Sequence, residues 1–318
     1  MMTQDKLQEA LRLIDAGNRE GLEPLRELAL AANAHAVFAL ARLTWTGNML
    51  PQDSNRGRVL FEHAASLGHT HANILATNLL GSGVAGARDW GAALQRLEVE
   101  ARQLPERRAA LELVRAMDLD PNGDPKNVPE AERISDTPDL RIFRGLISPH
   151  ECAYLIGAAE PLFRPSMVYD DLGEEVRDTI RTSDGAGFFW LAEDPAIHAI
   201  NRRIGAATHT RYDQGEPLQV LRYSPGQEYR PHFDYLEANE NPRPWTALIY
   251  LNDAYEGGAT RFMKSGHEVR GNAGDVLVFG NSNDKGARDP LAEHAGMPVT
   301  SGVKYLATRW IREHRHIP

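Results

Sequence analysis

Residues 218–234 read Leu218-Gln219-Val220-Leu221-Arg222-Tyr223-Ser224-Pro225-Gly226-Gln227-Glu228-Tyr229-Arg230-Pro231-His232-Phe233-Asp234. The first six, bounded by Ser-Pro-Gly, predict a β-strand that ends in a turn. The last three carry chemistry. In a strand, residues two apart point to one face, so the His232 imidazole and the Asp234 carboxylate reach the same point. A divalent metal held there needs a third ligand, and His294 is the candidate, 62 residues after His232 and beyond two further predicted strands. Taken alone, His-x-Asp also fits a surface polar pair; its surroundings decide.

Outward from this stretch the texture stays β. Thr246–Leu251, Asp275–Phe279 and Lys304–Trp310 are short apolar runs separated by Gly, Pro, Asn and Asp. Many short strands with turn punctuation from about residue 165 onward predict a barrel or a two-sheet jelly roll, interrupted by one helix over 195–206. Two histidines and one carboxylate on one side of a metal leave positions open, the facial arrangement of non-haem Fe(II) oxygenases. Lys304 lies in the last apolar strand, where a lysine is costly to bury unless paired. An organic dicarboxylate would pair it, and the Tyr223 hydroxyl could donate to the same carboxylate. The alternatives are an edge-strand lysine that limits aggregation and an ordinary core tyrosine.

Toward the N-terminus the pattern changes to helix. Leu7, Leu11 and Ile14 stand at helical spacing, and Leu22, Leu25, Leu28 and Leu30 form a second stripe. His35-Ala36 recurs as His71-Ala72, Gly47 as Gly83 and Asp53 as Asp89, all at an offset of 36 residues, a period of helical-hairpin solenoids. Each unit reads as a helix (36–46, then 71–80), a Gly-containing turn and a second helix (55–66, then 90–102). Ala36, Ala39, Ala64 and Ala65 would let paired helices approach closely. The reading divides the chain into helical repeats over 1–117, a turn-rich linker over 118–138 and a β-rich domain over 139–318. Ser148, Pro149 and Glu151 mark a capped helix start just inside the last, followed by Cys152, Leu155 and Ile156.

Composition narrows the partners. Hydrophobic residues at 42% and charged residues at 25% are globular values and argue against wholesale disorder. The 35 Lys+Arg against 44 Asp+Glu give a net charge of -9, which argues against nucleic acid as the main partner. The single cysteine, Cys152, excludes an intramolecular disulfide and a thiolate metal cluster. No stretch approaches the ~20 apolar residues of a membrane span, and the polar first residues do not read as a signal peptide, so a cytoplasmic location is expected.

Two resemblances follow. Residues 20–105 resemble Sel1-like repeats, relatives of the tetratricopeptide repeat, which implies a scaffold for protein contact. Residues 140–313 resemble the 2-oxoglutarate- and Fe(II)-dependent oxygenases of the prolyl 4-hydroxylase type. The motifs that carry this are 221–234 as quoted above, Leu248-Ile249-Tyr250-Leu251-Asn252, Glu256-Gly257-Gly258-Ala259-Thr260-Arg261-Phe262 and Gly274-Asp275-Val276-Leu277-Val278-Phe279. His294, Gly302-Val303-Lys304-Tyr305 and Thr308-Arg309-Trp310 complete them. The resemblance implies an α+β chain of two domains, an all-α repeat region followed by a double-stranded β-helix (jelly-roll) oxygenase domain. It implies that His232, Asp234 and His294 hold Fe(II), that Lys304 and Tyr223 bind the distal carboxylate of 2-oxoglutarate, and that Arg181, Arg243 and Trp310 face the substrate. O2 and ascorbate, as reductant, complete the cofactor set. The expected reaction is hydroxylation of a prolyl residue in a protein or peptide, with the repeats recruiting substrate or a partner. The stretch 169–180, rich in Asp, Glu and Gly, is the expected lid.

Two other readings stay open at this level. The repeats could be the working part, an interaction adaptor beside an inactive or sensing oxygenase domain, or the enzyme could act on a free amino acid or other small molecule. An alkylated nucleic acid ranks last because of the acidic charge. His69-x-His71 reads as a turn and packing pair, His314-x-His316 as a solvated tail, and Cys152 as a buried helix residue.

Overall fold

The computed structural model describes residues 2–169, 175–177, 180–236 and 240–318, without the side chains of 2, 3, 167–169 and 175–177. The chain divides into two compact units: Met1–Leu111 with Trp190–Pro195 and Pro318, and Glu112–Phe189 with Ala196–Ile317.

The first unit is helical: α1 (Met2–Asp15), α2 (Leu22–Leu30), α3 (Ala34–Thr46), α4 (Ser54–Ser66), α5 (Thr70–Ser82), α6 (Trp90–Glu100) and most of α7 (Pro105–Ala116). Its caps repeat with the sequence. Asn33 Oδ1 accepts from Ala36 N at the start of α3, and His69 Nδ1 accepts from Ala72 N at the start of α5. Asp53 and Asp89 cap α4 and α6 in the same way. Gly47 and Gly83 end α3 and α5 with φ of 75° and 73°, the left-handed conformation that glycine adopts without strain. The helical-repeat reading of this region therefore holds as structure, with α3 and α5 each starting earlier than the apolar pattern indicates because the caps lie outside it. Of the predicted stripes, Leu7, Ile14, Leu22, Leu25 and Leu28 are buried in one cluster with Ala10, Ala36 and Leu43, Leu11 packs against it half-buried, and Leu30, at the end of α2, is exposed instead.

The second unit is a jelly roll. Its strands are β1 (Glu132–Asp136), β2 (Asp139–Phe143), β3 (Arg164–Pro165), β4 (Met167–Tyr169), β5 (Glu175–Arg177), β6 (Asp184–Phe188), β7 (Leu218–Tyr223), β8 (Tyr229–His232), β9 (Trp245–Tyr250), β10 (Tyr255–Gly257), β11 (Thr260–Phe262), β12 (Glu268–Val269), β13 (Val276–Gly280), β14 (His294–Gly296), β15 (Val299–Gly302) and β16 (Lys304–Ile311). Eight form a major sheet in the order β1-β2-β13-β9-β16-β7-β6-β3, and four form a minor sheet in the order β12-β11-β14-β8. Strand β1 falls within the stretch read as a linker and pairs with β2.

Alternation along the strands assigns the two faces. Ala247, Ile249, Val276, Val278, Val220 and Ala307 join the cluster built with the helices α8 (Pro149–Ala159) and α9 (Pro195–Thr208). Their neighbours Leu248, Tyr250, Leu277, Phe279 and Leu306 point the other way, toward Phe262 of the minor sheet. Helix α8 starts on the predicted capping box, Ser148 and Glu151 each bonding the other's main chain. Both faces of the central strands are thus covered, which is why they read as continuous apolar runs.

Candidate metal and cosubstrate site

The predicted ligands come together. His232, Asp234 and His294 each offer one ligand atom, and these atoms lie within 4.8 Å of one another. His232 Nε2 is 3.6 Å from Asp234 Oδ1, and His294 Nε2 is 3.7 Å from Asp234 Oδ2. The route differs from the one strand alternation suggests. Strand β8 ends at His232, so Asp234 lies beyond it in unpaired backbone. The two histidines meet by pairing across the minor sheet, His294 opposite His232.

The two residues expected to bind the cosubstrate, Lys304 and Tyr223, also form a cross-strand pair. Lys304 stands opposite Tyr223 where β16 pairs β7 in the major sheet. Strand β16 sends Lys304, Leu306, Thr308 and Trp310 into a cavity that also receives Tyr223, Leu221, Arg181, Tyr229 and the three ligand residues. Arg243 is not among the lining residues. Its guanidinium makes a two-pronged pair with Glu216 (2.5 and 2.7 Å) and lies over the Trp310 ring, 4.1 Å from its centroid. Arg181 sits over the Tyr229 ring at 5.5 Å, and Tyr229 stacks on His232 with centroids 3.5 Å apart. Of the expected lid, residues 170–174, 178 and 179 lie outside the described residues.

Electrostatics fit a metal and an anion. Burial, with His294 next to it, holds the His232 imidazole down at about 4, so it is neutral with a lone pair available at neutral pH. Burial works to raise the Asp234 carboxyl, but His294, His232 and the Thr246 hydrogen bond outweigh it and keep the group ionised. Two imidazoles and a carboxylate form a donor set suited to a first-row divalent ion.

Lys304 is 2% exposed and donates to Gly258 O at 2.7 Å; no carboxylate among the described residues pairs with it. Burial, then the Arg270 charge, brings its ammonium down to about 7. Three tyrosine rings, Tyr223, Tyr250 and Tyr255, stand 5.6 to 6.0 Å from its Nζ. Gly258 has φ +64°, and a Cβ there would meet Lys304 Cδ at 3.1 Å, so glycine keeps both the turn and the close carbonyl. A buried cation with only a neutral acceptor is costly and gains from an incoming carboxylate.

The family comparison agrees with this chemistry. The family model described as the 2OG-Fe(II) oxygenase superfamily matches residues 218–312. "Probable prolyl 4-hydroxylase 10" of Arabidopsis thaliana is 34% identical over 218 residues, spanning 61% of this chain and 75% of that protein. The 2OG complex of the viral collagen prolyl hydroxylase of Paramecium Bursaria Chlorella virus-1 is 27% identical and covers 56% of this chain and 98% of that one, with a TM-score of 0.45. A Sel1 repeat protein from Oxalobacter formigenes is 19% identical and covers 34% of this chain and 47% of that one, with a TM-score of 0.31.

Proposed function

The chain belongs to the prolyl 4-hydroxylase family of the 2OG-Fe(II) oxygenases, and on that ground we propose that it hydroxylates a prolyl residue of a protein or peptide. One observation supports the reading most: a His-Asp-His cluster and a buried lysine with no carboxylate partner among the described residues line the same cavity.

In this reading His232, Asp234 and His294 hold Fe(II), while Lys304 and Tyr223 grip the distal carboxylate of 2-oxoglutarate. Bound Fe(II) supplies the redox chemistry, in which O2 and 2-oxoglutarate become succinate and CO2 and one oxygen atom enters a C–H bond of the substrate. The chain does the rest. The two imidazoles and the Asp234 carboxylate would hold the ion at the wall of the cavity. The Lys304 ammonium and the Tyr223 hydroxyl fix the far end of the cosubstrate, so that its keto-acid end faces the ligands. Leu221, Leu248 and Leu306 keep water from the reacting centre. Arg181, Trp310 and, behind it, Arg243 form the substrate side, with ascorbate as the reductant that returns the iron to Fe(II).

The helical repeats recruit the substrate or a partner protein. The net charge of -9 favours a protein partner over nucleic acid or a membrane surface. Among the described residues no helix is long and apolar enough to cross a membrane, and we place the enzyme in the cytoplasm. The test is incubation with Fe(II), 2-oxoglutarate, ascorbate and proline-containing peptides, read by succinate release and by mass spectrometry. One added oxygen on proline is expected; succinate release with oxygen added only to free amino acids or small molecules overturns the peptide substrate.

A further inference from the structure

The three ligand side chains are not aimed in the same way. His232 Nδ1 lies 2.8 Å from Arg230 O, and His294 Nδ1 lies 3.0 Å from Ala292 O. With Nδ1–H donated to a main-chain carbonyl, Nε2 keeps its lone pair for the shared point. Among the described residues Asp234 has no such main-chain partner: it lies beyond the end of β8.

Its support is a chain of side chains. Thr246 Oγ1 donates to Asp234 Oδ2 at 2.8 Å, and Asn281 Nδ2 donates to Thr246 Oγ1 at 2.8 Å. All three residues are buried. The base of the chain is rigid. Thr246 sits in β9 between Phe279 of β13 and Trp310 of β16, and Asn281 directly follows β13 with its N–H bonded to Pro244 O. The polarity is also fixed: an amide N–H only donates and a carboxylate only accepts, so the threonine's single proton points at Asp234.

We propose that Thr246 and Asn281 are positioning residues of the metal centre: Asn281 orients the Thr246 hydroxyl, and that hydroxyl holds the Asp234 carboxylate where it faces both imidazoles. Neither touches the metal. Their effect is on how often the aspartate is ready to bind it, and losses of this kind weaken metal binding about 10- to 100-fold. Valine at 246 keeps the shape of threonine but removes the donor and strands the Asn281 amide. Serine keeps the hydroxyl. Leucine at 281 leaves the hydroxyl present but unaimed.

This inference rests on the reading that the triad binds iron. The test is an anaerobic Mn(II) titration of the full chain, with free Mn(II) followed by electron paramagnetic resonance and metal-free melting measured in parallel. Thr246→Val is expected to weaken Mn(II) binding by about 10- to 100-fold. Thr246→Ser should stay close to the parent, and Asn281→Leu should fall between. Parent-like affinity in Thr246→Val overturns the proposal. If that variant fails to fold, parent-like affinity in Asn281→Leu overturns it instead. A parent chain that binds no Mn(II) overturns the metal reading, and this proposal with it.

Discussion

Helices α3 and α5 start on caps 36 residues apart and end on glycines 36 residues apart; each of those signals acts within a few residues of itself. In the jelly roll, His232 meets His294 and Tyr223 meets Lys304 only because distant strands pair in one register. The first unit is thus specified locally and repeatedly, the second non-locally and once. A local design spreads its stability over many similar contacts, whereas a non-local one concentrates function in a few groups that have no substitutes.

The hardest test of that contrast is a place where the helical unit does concentrate its interactions. Glu100 and Arg107 form a buried ion pair (Nε to Oε2, 2.6 Å), and Glu100 also accepts from Thr77 and Asn73. Arg107→Ala strands a buried carboxylate and should cost about 3–5 kcal/mol. Calorimetry should show an early transition, while Fe(II)-dependent succinate release stays near the parent value.

The converse change is Lys304→Ala. Truncating one member of a buried charged pair costs about 2–5 kcal/mol, so the KM for 2-oxoglutarate should rise by about 30-fold to several thousandfold. Melting of the helical unit should not move. An unchanged KM would remove Lys304 from the site.

The same residue gives a pH dependence. Its ammonium titrates at about 7 in the ligand-free chain, and the charged form is the one that binds a carboxylate. Binding raises that value, so affinity is full below it and falls as pH rises above it. The limiting slope is about tenfold per pH unit, or ~1.4 kcal/mol, measurable by calorimetry in buffers of different ionisation enthalpy. Lys304→Arg should flatten the profile.

The smallest effect sharpens the comparison inside the helical unit. His69 caps α5 through Nδ1, where Asn33 caps α3 through an amide oxygen. Burial, then His35 and His71, hold the His69 imidazole below its ordinary value. A base lowered in this way contributes stability above its unfolded pKa and loses it as pH falls. His69→Asn should therefore leave stability at neutral pH little changed and make the unit more resistant to acid, read from urea midpoints across the pH range.

The same contrast explains what the sequence made legible. Strand β7 runs over the predicted residues, and the α8 capping box was readable because all its parts lie within four residues. The ligand triad was legible because residue type and order survive without geometry. What escaped depends on partners far along the chain. Glu216 takes Arg243 from 27 residues away, and Thr246 and Asn281, 35 residues apart, join only when β9 and β13 pair. His69 is a different case. Its capping role had a local signal, Asn33 one repeat earlier, which was hidden because histidine is not a usual capping residue.

Both functional pairs occupy directly opposed positions, one in each sheet. Sliding either ladder by a single residue would turn a histidine of the triad or Lys304 to the opposite face. Each sheet supplies one of the two pairs, so the complete site exists only in a chain whose two sheets have both closed. Capture of metal together with 2-oxoglutarate would then serve as a readout of completed folding in this unit, and deletions within β7, β8, β14 or β16 should abolish both together.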